Sequence, residues 1–343
     1  MRAAVLYDID DLRIEAQAVP QLEAGDLLVQ IVASGICSGD LMPWYIRRKA
    51  PLVLGHEPAG IVVARGPGEA ARARDGRVFA LGDRVAIHHH APCFVCRACL
   101  RGDHVQCDTW KRTRIYPGGI AQYVRVPAAN VGDTLHLPDH VGFAEAVLVE
   151  PLGCVFKSMR RARLRPDDVV YVIGLGVMGL LHIAVARTRG HAVYGSDYQA
   201  DRQTQARRLG ANAAFSPEAA LNELRAVTEG RGADVVICGP GSAQALSHAI
   251  EACAPGGTVL MFTPLEPGQD FCFDQSAAYF RDISLIASYS CGPDDTSAAL
   301  AYLSSHQLSA VSVGAQAFAF EDTAEAYRAM RAGEVIKAII EVT

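Results

Sequence analysis

The rhythm of apolar and polar positions changes once along this chain. Up to about residue 150, short β-branched runs are broken by Gly and Pro: "LLVQIVASGI", "AGIVVARGPG", "GDRVAIHHH" and "AQYVRVPA". That pattern predicts an irregular β domain with many turns. From about residue 155, strand-length apolar runs alternate with amphipathic stretches. "DDVVYVIGLG" reads as a buried strand entering a glycine turn, and "VMGLLHIAVARTRG" as a helix that ends at Gly190. "HAVYGSD" predicts the next strand, "QADRQTQARRLGA" the next helix and "PEAALNELRAVTEG" a third. "ADVVICG", "GGTVLMFT" and "ISLIASYS" predict later strands, with "SAQALSHAIEACA" a helix between the first two. This alternation predicts an α/β fold with a doubly wound parallel sheet. After about residue 291 come a helical segment, a strand-like "VSVGAQAFAF", and a closing helix and strand in "EDTAEAYRAMRAGEVIKAIIEV". These are expected to close back onto the first domain.

Bulk properties narrow the class. A chain of 343 residues is too long for one ordinary core and suits two domains. A net charge of −5 points to no nucleic-acid or anionic-membrane partner. The start "MRAAVLYDIDDLRIEA" carries charges every few residues, unlike a signal peptide, and the longest apolar runs are far short of a membrane span. Of the ten cysteines, four sit in one tight cluster. Metal binding in a reducing cytosol is the better reading of that clustering than disulfides, and the chain is expected to be cytoplasmic.

The run Gly174-Leu175-Gly176-Val177-Met178-Gly179 follows a predicted strand and opens a predicted helix. Alone, G-x-G-x-x-G is a weak signal; here the strand, the helix and an acidic residue ending the next strand, Asp197, supply its context. Gly174 permits the tight turn, Gly176 lets the backbone approach a pyrophosphate, and Gly179 lets helix and strand pack closely. The helix N-terminus then offers unpaired N–H groups to phosphate. A carboxylate at Asp197 accepts both ribose hydroxyls of NAD and repels a 2′-phosphate, so NAD is favoured over NADP. Arg202, in the next helix, is placed to lie over the adenine or to offset part of that repulsion.

"HHHAPCFVCRACLRGDHVQC" holds the spacing C-x2-C-x2-C-x7-C at Cys93, Cys96, Cys99 and Cys107. Four thiolates complete a tetrahedral zinc shell and leave no position for substrate, the mark of a structural site. His88, His89, His90 and His104 are then surplus to the metal. Alternation at a strand end sends the three consecutive histidines in different directions, and they are expected to be structural or lining residues.

Chemistry needs a second site. "SGICSGD" supplies Cys37, "LVLGHEPAG" supplies His56 and Glu57, and "VEPLGC" supplies Glu150. Cysteine, histidine and carboxylate in a set of three leave zinc an open position, where it acts as a Lewis acid. On spacing alone these residues are equally core positions and a helix start.

With "GICSGD", "GHEPAG", "GDRV", the four-cysteine lobe, "PGGIAQYVRVPA", "EPLGC", "GLGVMG" and "AGEVIKAIIEV" in view, the chain resembles the zinc-dependent medium-chain alcohol dehydrogenases. The similarity runs from end to end and lies in the polyol (sorbitol-like) and threonine dehydrogenase branch. It implies a GroES-like, β-rich catalytic domain over residues 1–153 and 291–343 and a Rossmann domain over 154–290, with NAD and substrate in the cleft between them. It implies two zinc ions per chain. Cys37, His56 and Glu150 would hold the catalytic one, with Glu57 a fourth ligand or a carboxylate behind the ligands. Where the family's best-known zinc has a second cysteine, this chain has Glu150. Backbone around Thr263 and Ser288 would face the nicotinamide. The zinc-bound substrate hydroxyl would lose its proton, and its carbon would pass a hydride to the nicotinamide. Relatives form dimers and tetramers, and "SLIASYS" is the strand expected at the shared sheet edge.

The chain departs from many relatives at Cys37-Ser38-Gly39-Asp40, with Met42 beyond. The relay hydroxyl and histidine of those relatives are absent at their usual places, and Ser38 is the local substitute. "MPWYIRRKAP" brings Trp44 and Tyr45 as an aromatic wall for a sugar or cyclitol ring, and a basic run that binds an acidic group or simply faces solvent. A polyol, cyclitol or sugar-like secondary alcohol is the first expectation, and threonine or another amino alcohol the second. A zinc-free quinone or enoyl reductase of the same fold lacks residues like Cys37, His56 and Glu150 and is disfavoured.

Overall fold

In the computed structural model, which describes residues 1–305 and 308–342, the two rhythms become two bodies. One compact unit is Met1–Gly153 together with Cys291–Thr343, and the other is Cys154–Ser290. Residues 306, 307 and 343 of the expected 291–343 segment lie outside the described residues.

The first unit contains β1 (Arg2–Asp8), β2 (Asp11–Ala16), β3 (Leu27–Gly35), β4 (Leu52–Val53), β5 (Glu57–Arg65), β6 (Arg84–Ile87), β7 (Tyr123–Val126) and β8 (Thr134–His136). The second contains β9 (Val169–Ile173), β10 (Ala192–Ser196), β11 (Ala213–Phe215), β12 (Ala233–Cys238), β13 (Cys253–Met261) and β14 (Ser284–Ala287). The chain then returns to the first unit with β15 (Ala315–Ala319) and β16 (Lys337–Glu341). Among the described residues no helix is long and apolar enough to cross a membrane.

In the first unit, β2-β1-β4 form a small sheet and β15-β16-β3-β5-β6-β8 a larger one, with β7 also paired to β3. Leu27, Val29 and Ile31 of β3 are fully buried at every second position, as a strand facing a core requires. They join Leu6, Ile36, Leu54, Phe79 and Tyr327 in one apolar cluster. Past Ile31 the alternation fails. Ala33, Ser34 and Gly35 are all buried, in the stretch where β3 is paired with β5 on one side and β16 on the other. The register pairs Gly35 with Glu57 on one side and with Ile339 on the other.

The strand-like "VSVGAQAFAF" is two elements. Val311–Val313 is a 3₁₀ turn, Gly314 takes φ +74°, and only Ala315–Ala319 is strand. The left-handed glycine ends the turn and restarts the chain in extended form.

The second unit is a six-stranded parallel sheet in the order β11-β10-β9-β12-β13-β14. The first strand in sequence is central, and the order reverses around it. Val170, Tyr171 and Val172 are buried in succession, as in a strand covered on both faces. Helices Val177–Thr188, Ala200–Arg208, Pro217–Val227 and Ala243–Ala252 alternate with the strands. This architecture puts ligand-binding loops beyond the carboxyl ends of the strands.

Candidate functional site

The cysteine lobe is built from tight turns. Cys96 precedes the short helix Arg97–Leu100, which contains Cys99, and Cys107 precedes helix Asp108–Arg112. The four sulfurs lie within 4.8 Å of one another. Cys96 and Cys99 are 3.5 Å apart, and Cys93 and Cys99 are 3.9 Å apart. Four sulfurs at the usual zinc–thiolate distance stand about 3.8 Å from one another, so this spacing suits one ion. The Cys96 N–H points at the Cys93 sulfur and the Cys93 N–H at the Cys107 sulfur, each at 3.4 Å. Against the effect of burial, backbone N–H groups including those of Cys93 and Trp110 bring Cys107 down to about 6. Burial and the neighbouring thiols push Cys99 up to about 12. Val105 and Trp110 pack beneath the lobe.

The second donor cluster grows out of the β3–β5 register. Because Gly35 pairs with Glu57, the residues just beyond that pair, Cys37 and His56, emerge side by side. Ligand atoms of Cys37, His56 and Glu57 lie within 4.8 Å of one another. Cys37 caps the 3₁₀ turn Ser38–Leu41, its sulfur accepting from the Gly39 N–H at 3.3 Å. The same turn carries the buried Asp40, whose Oδ2 is 3.2 Å from Nδ1 of His56. The Asp40 carbonyl accepts from the Tyr327 hydroxyl at 2.8 Å, which anchors the turn to the core. Ser38 is exposed.

Burial pushes the Cys37 thiol up, opposed by His56. Burial works against the His56 imidazolium too, yet Asp40 and Cys37 hold it well above its ordinary value. Nδ1 of His56 faces a carboxylate, the arrangement that orients a metal-ligating histidine. With a cysteine, a histidine and a carboxylate brought together, the donor set is of the kind that holds a zinc ion.

Glu57 points the other way as well. Its Oε2 pairs with Nζ of Lys337, which also donates to the Ile36 carbonyl at 2.9 Å. Burial raises the Glu57 carboxyl, opposed chiefly by Lys337. The pair fits because Gly35 has no side chain: a Cβ there would overlap the Glu57 carboxylate and lie 2.7 Å from Val147 and 2.9 Å from Lys337 Nζ. Neither Asp40 nor Lys337 stands out in the sequence as part of the site. An acid three residues after Cys37 and a lysine opening the last strand are ordinary until the sheet register joins them.

Glu150 joins a different group. One of its carboxylate oxygens lies within 4.8 Å of ring nitrogens of His88 and His89. The three consecutive histidines diverge, as expected beyond β6. His88 Nδ1 is 2.6 Å from Asp133 Oδ2, and its Nε2 is 3.7 Å from the Cys291 sulfur. His90 Nδ1 is 2.5 Å from the Thr113 carbonyl, and its ring lies on Trp110; burial brings it down to about 3. His89 turns toward the donor cluster, its ring centroid 4.8 Å from that of His56. Burial, then His56, His90 and His88, drive His89 well below its ordinary value.

In the second unit the glycine turn follows β9. Gly174 takes φ +84° and Gly176 precedes helix Val177–Thr188. A Cβ on Gly179 would overlap the Gly174 carbonyl, whereas one on Gly176 would meet nothing within 4 Å. The first glycine thus turns the chain, the third lets helix meet strand, and the second leaves the backbone open to approach. Asp197 follows β10. Its Oδ2 accepts from the Leu175 N–H at 2.8 Å, and its Oδ1 from the Gln199 N–H at 2.9 Å. Arg202 Nη1 is 3.8 Å from Asp197 Oδ2. Thr263 and the buried Ser288 lie just past β13 and β14. Gly174, Asp197, Thr263 and Ser288 therefore share the carboxyl edge of the sheet.

Comparison with known proteins agrees with both halves. Residues 23–139 match the alcohol dehydrogenase GroES-like domain family and residues 177–305 the zinc-binding dehydrogenase family. The chain is 30% identical over 355 residues to D-xylulose reductase A of Aspergillus oryzae, covering 98% of this chain and 95% of that one. It is 29% identical over 269 residues to sorbitol dehydrogenase of Bacillus subtilis, covering 75% and 73%. Among solved structures it resembles the alcohol dehydrogenase TADH from Thermus sp. ATN1, with a TM-score of 0.87 and 27% identity over the full length of both chains. The chain belongs to the zinc-type medium-chain alcohol and polyol dehydrogenase family.

Proposed function

We propose that this protein is an NAD-dependent, zinc-containing dehydrogenase that oxidises a secondary alcohol of a polyol, cyclitol or sugar-like substrate to the ketone. The reaction converts R₂CHOH and NAD⁺ to R₂C=O, NADH and a proton. The observation that carries the reading is the convergence of Cys37, His56 and Glu57 from two paired strands, with Cys37 and His56 incompletely buried. The names of the relatives, D-xylulose reductase and sorbitol dehydrogenase, support the polyol class.

Cys37 and His56 hold the catalytic zinc, with Glu57 and Glu150 the carboxylates available to it. Cys93, Cys96, Cys99 and Cys107 hold a second, structural zinc. When bound, the catalytic zinc supplies a Lewis acid that lowers the pKa of a substrate hydroxyl. Asp40 fixes the ring of His56 through Nδ1, and Lys337 balances the charge of Glu57. In the other unit, the N–H groups of the glycine turn take the pyrophosphate and Asp197 takes the adenosine ribose, which favours NAD over NADP. Thr263 and Ser288 border the nicotinamide. Ser38, exposed on its turn, assists proton departure to solvent. The working form is a cytoplasmic homodimer or homotetramer joined at the β14 edge, a point for light scattering to decide.

The test is a panel of polyols, cyclitols, amino alcohols and simple alcohols, followed by NADH absorbance, beside metal analysis. Two zinc ions per chain and NADH formation with polyols are expected. A chain with no zinc, or one active only on 2-amino-3-hydroxy acids, would overturn the reading.

A further inference from the structure

A further group of metal-ligand types lies beside the Cys37–His56–Glu57 cluster. Ring nitrogens of His88 and His89 and a carboxylate oxygen of Glu150 lie within 4.8 Å of one another, and the Cys291 sulfur stands within 4.8 Å of a Glu150 oxygen. That sulfur is also 3.7 Å from Nε2 of His88. A thiolate and an imidazole nitrogen bound to one tetrahedral zinc stand about 3.6 Å apart. Cys291 and His88 are thus spaced as ligands of one ion. His88, Glu150 and Cys291 are all buried, as the ligands of a closed metal site are.

The fold builds this spacing. Cys291 comes close to Glu150 because Gly153, three residues further along helix Val149–Ala162, has no side chain: a Cβ there would lie 3.1 Å from the Cys291 sulfur. His88 is aimed by Asp133, whose Oδ2 is 2.6 Å from Nδ1, while Thr296 Oγ1 donates to the other oxygen of that carboxylate at 3.2 Å. A carboxylate on one ring nitrogen fixes a histidine and turns its other nitrogen toward a metal. A second observation points the same way. Nδ1 of His89 is buried and has no hydrogen-bond partner among the described residues, so the ring has bonding capacity left over.

We infer that His88, Glu150 and Cys291, with His89 at their edge, form a further binding site for a divalent transition ion, zinc or cobalt. Thiolate, imidazole and carboxylate together suit such an ion; magnesium and calcium take oxygen ligands. The ion is additional to the two proposed above, and it binds more weakly than they do. Cys291 must release its proton and give up its contact with the Glu150 carbonyl. Glu150 is also a carboxylate available to the catalytic zinc, so the two sites compete for it. The further site therefore fills when metal is in excess. His89 joins it to the more open cluster: the residue is only partly buried, and its ring centroid is 4.8 Å from that of His56.

The experiment titrates cobalt(II) into the protein as purified and reads bound metal and the absorption spectrum. One cobalt per chain beyond the metal already present is expected, with a thiolate-to-cobalt charge-transfer band in the near ultraviolet. Cys291→Ala, which removes only the sulfur, should lose the extra ion and the band. Cys291→Ser, closer in size, should also lose the band, and it serves where the alanine variant fails to fold. Cys272→Ala, at an exposed cysteine outside the group, should keep both. Asp133→Asn, which keeps the shape and weakens the hold on His88, should raise the cobalt Kd about tenfold or more. No extra cobalt in the wild type overturns the inference. A band that survives loss of the Cys291 sulfur also overturns it, leaving an adventitious ion only. An unchanged Kd in Asp133→Asn overturns it by removing His88 from the ligands. None of these readings depends on turnover. A protein that oxidises no alcohol yet passes them loses the dehydrogenase reading and keeps this one.

Discussion

Lys337 Nζ pairs with Glu57 Oε2 across the bare Cα of Gly35, and both side chains are only 1% exposed. Removing one partner leaves a charge buried without its counterpart, which costs about 3–5 kcal/mol. Lys337→Met is therefore expected to lower stability by that order, read from urea unfolding. The double variant Lys337→Met, Glu57→Gln should recover a large part of the loss, because the uncompensated carboxylate is gone. A double variant as unstable as the sum of the two single ones would show that the residues act independently.

Much of the fold is readable from hydrophobic rhythm, because the second unit's strands are buried on both faces and its helices on one. β9, β10, β12 and β14 fall inside the apolar runs that predict them, whereas the three-residue β11 is too short to show as a run and β13 starts at Cys253, within the stretch read as a helix. A further miss is local: Gly314 splits "VSVGAQAFAF" by adopting a left-handed backbone that periodicity does not register. The site is less legible. Cys37, His56 and Glu57 are visible as residue types, but their meeting depends on a register of β3 against β5 that no local pattern encodes. Lys337 is harder still, since it reaches Glu57 only through the pairing of the last strand with β3. His89 is hidden by its neighbours. Three identical residues in a row carry no sign of which turns toward the cluster, and only the fixed partners of His88 and His90 single it out.

Asp197 has two duties on the turn. Its Oδ2 accepts the Leu175 N–H, which shapes the glycine turn, and the proposed function gives it the adenosine ribose as well. Asp197→Ser should raise the KM for NAD about tenfold, the effect of losing roughly one charge-assisted hydrogen bond. It should also narrow the preference for NAD over NADP, because the repulsion of a 2′-phosphate disappears. Initial rates with both cofactors decide this; an unchanged NAD/NADP ratio would count against Asp197 as the discriminating group.

Cys99 is buried beside Cys93 and Cys96 within a lobe whose own apolar packing is confined to Val105, Trp110 and the cysteines. So small a cluster would rely on the proposed zinc for its shape. Cys99→Ser is expected to purify with one zinc per chain instead of two and to expose the lobe to proteolysis. The remaining zinc should track Cys37 and His56, leaving only the background metal when Cys37→Ser is added. Retention of two zinc ions in Cys99→Ser would remove the lobe as a zinc site.

His182 sits inside helix Val177–Thr188, directly behind the glycine turn. Ring contacts of 2.7 Å to Ser158 Oγ and to the Met178 carbonyl fill both nitrogens, and burial brings it down to about 4. The native state therefore keeps it neutral where the unfolded chain takes up a proton, from about pH 6.5 downward. Its contribution to stability is present in full above pH 6.5, is lost as pH falls toward 4, and amounts to roughly 3 kcal/mol in all. His182→Gln, which does not titrate, should flatten the fall of stability between pH 6.5 and 4, even if the variant is less stable at pH 8. Urea midpoints across that range measure the slope. An equally steep acid limb in the variant would mean that other groups drive it, and that the helix behind the turn tolerates a charged imidazole.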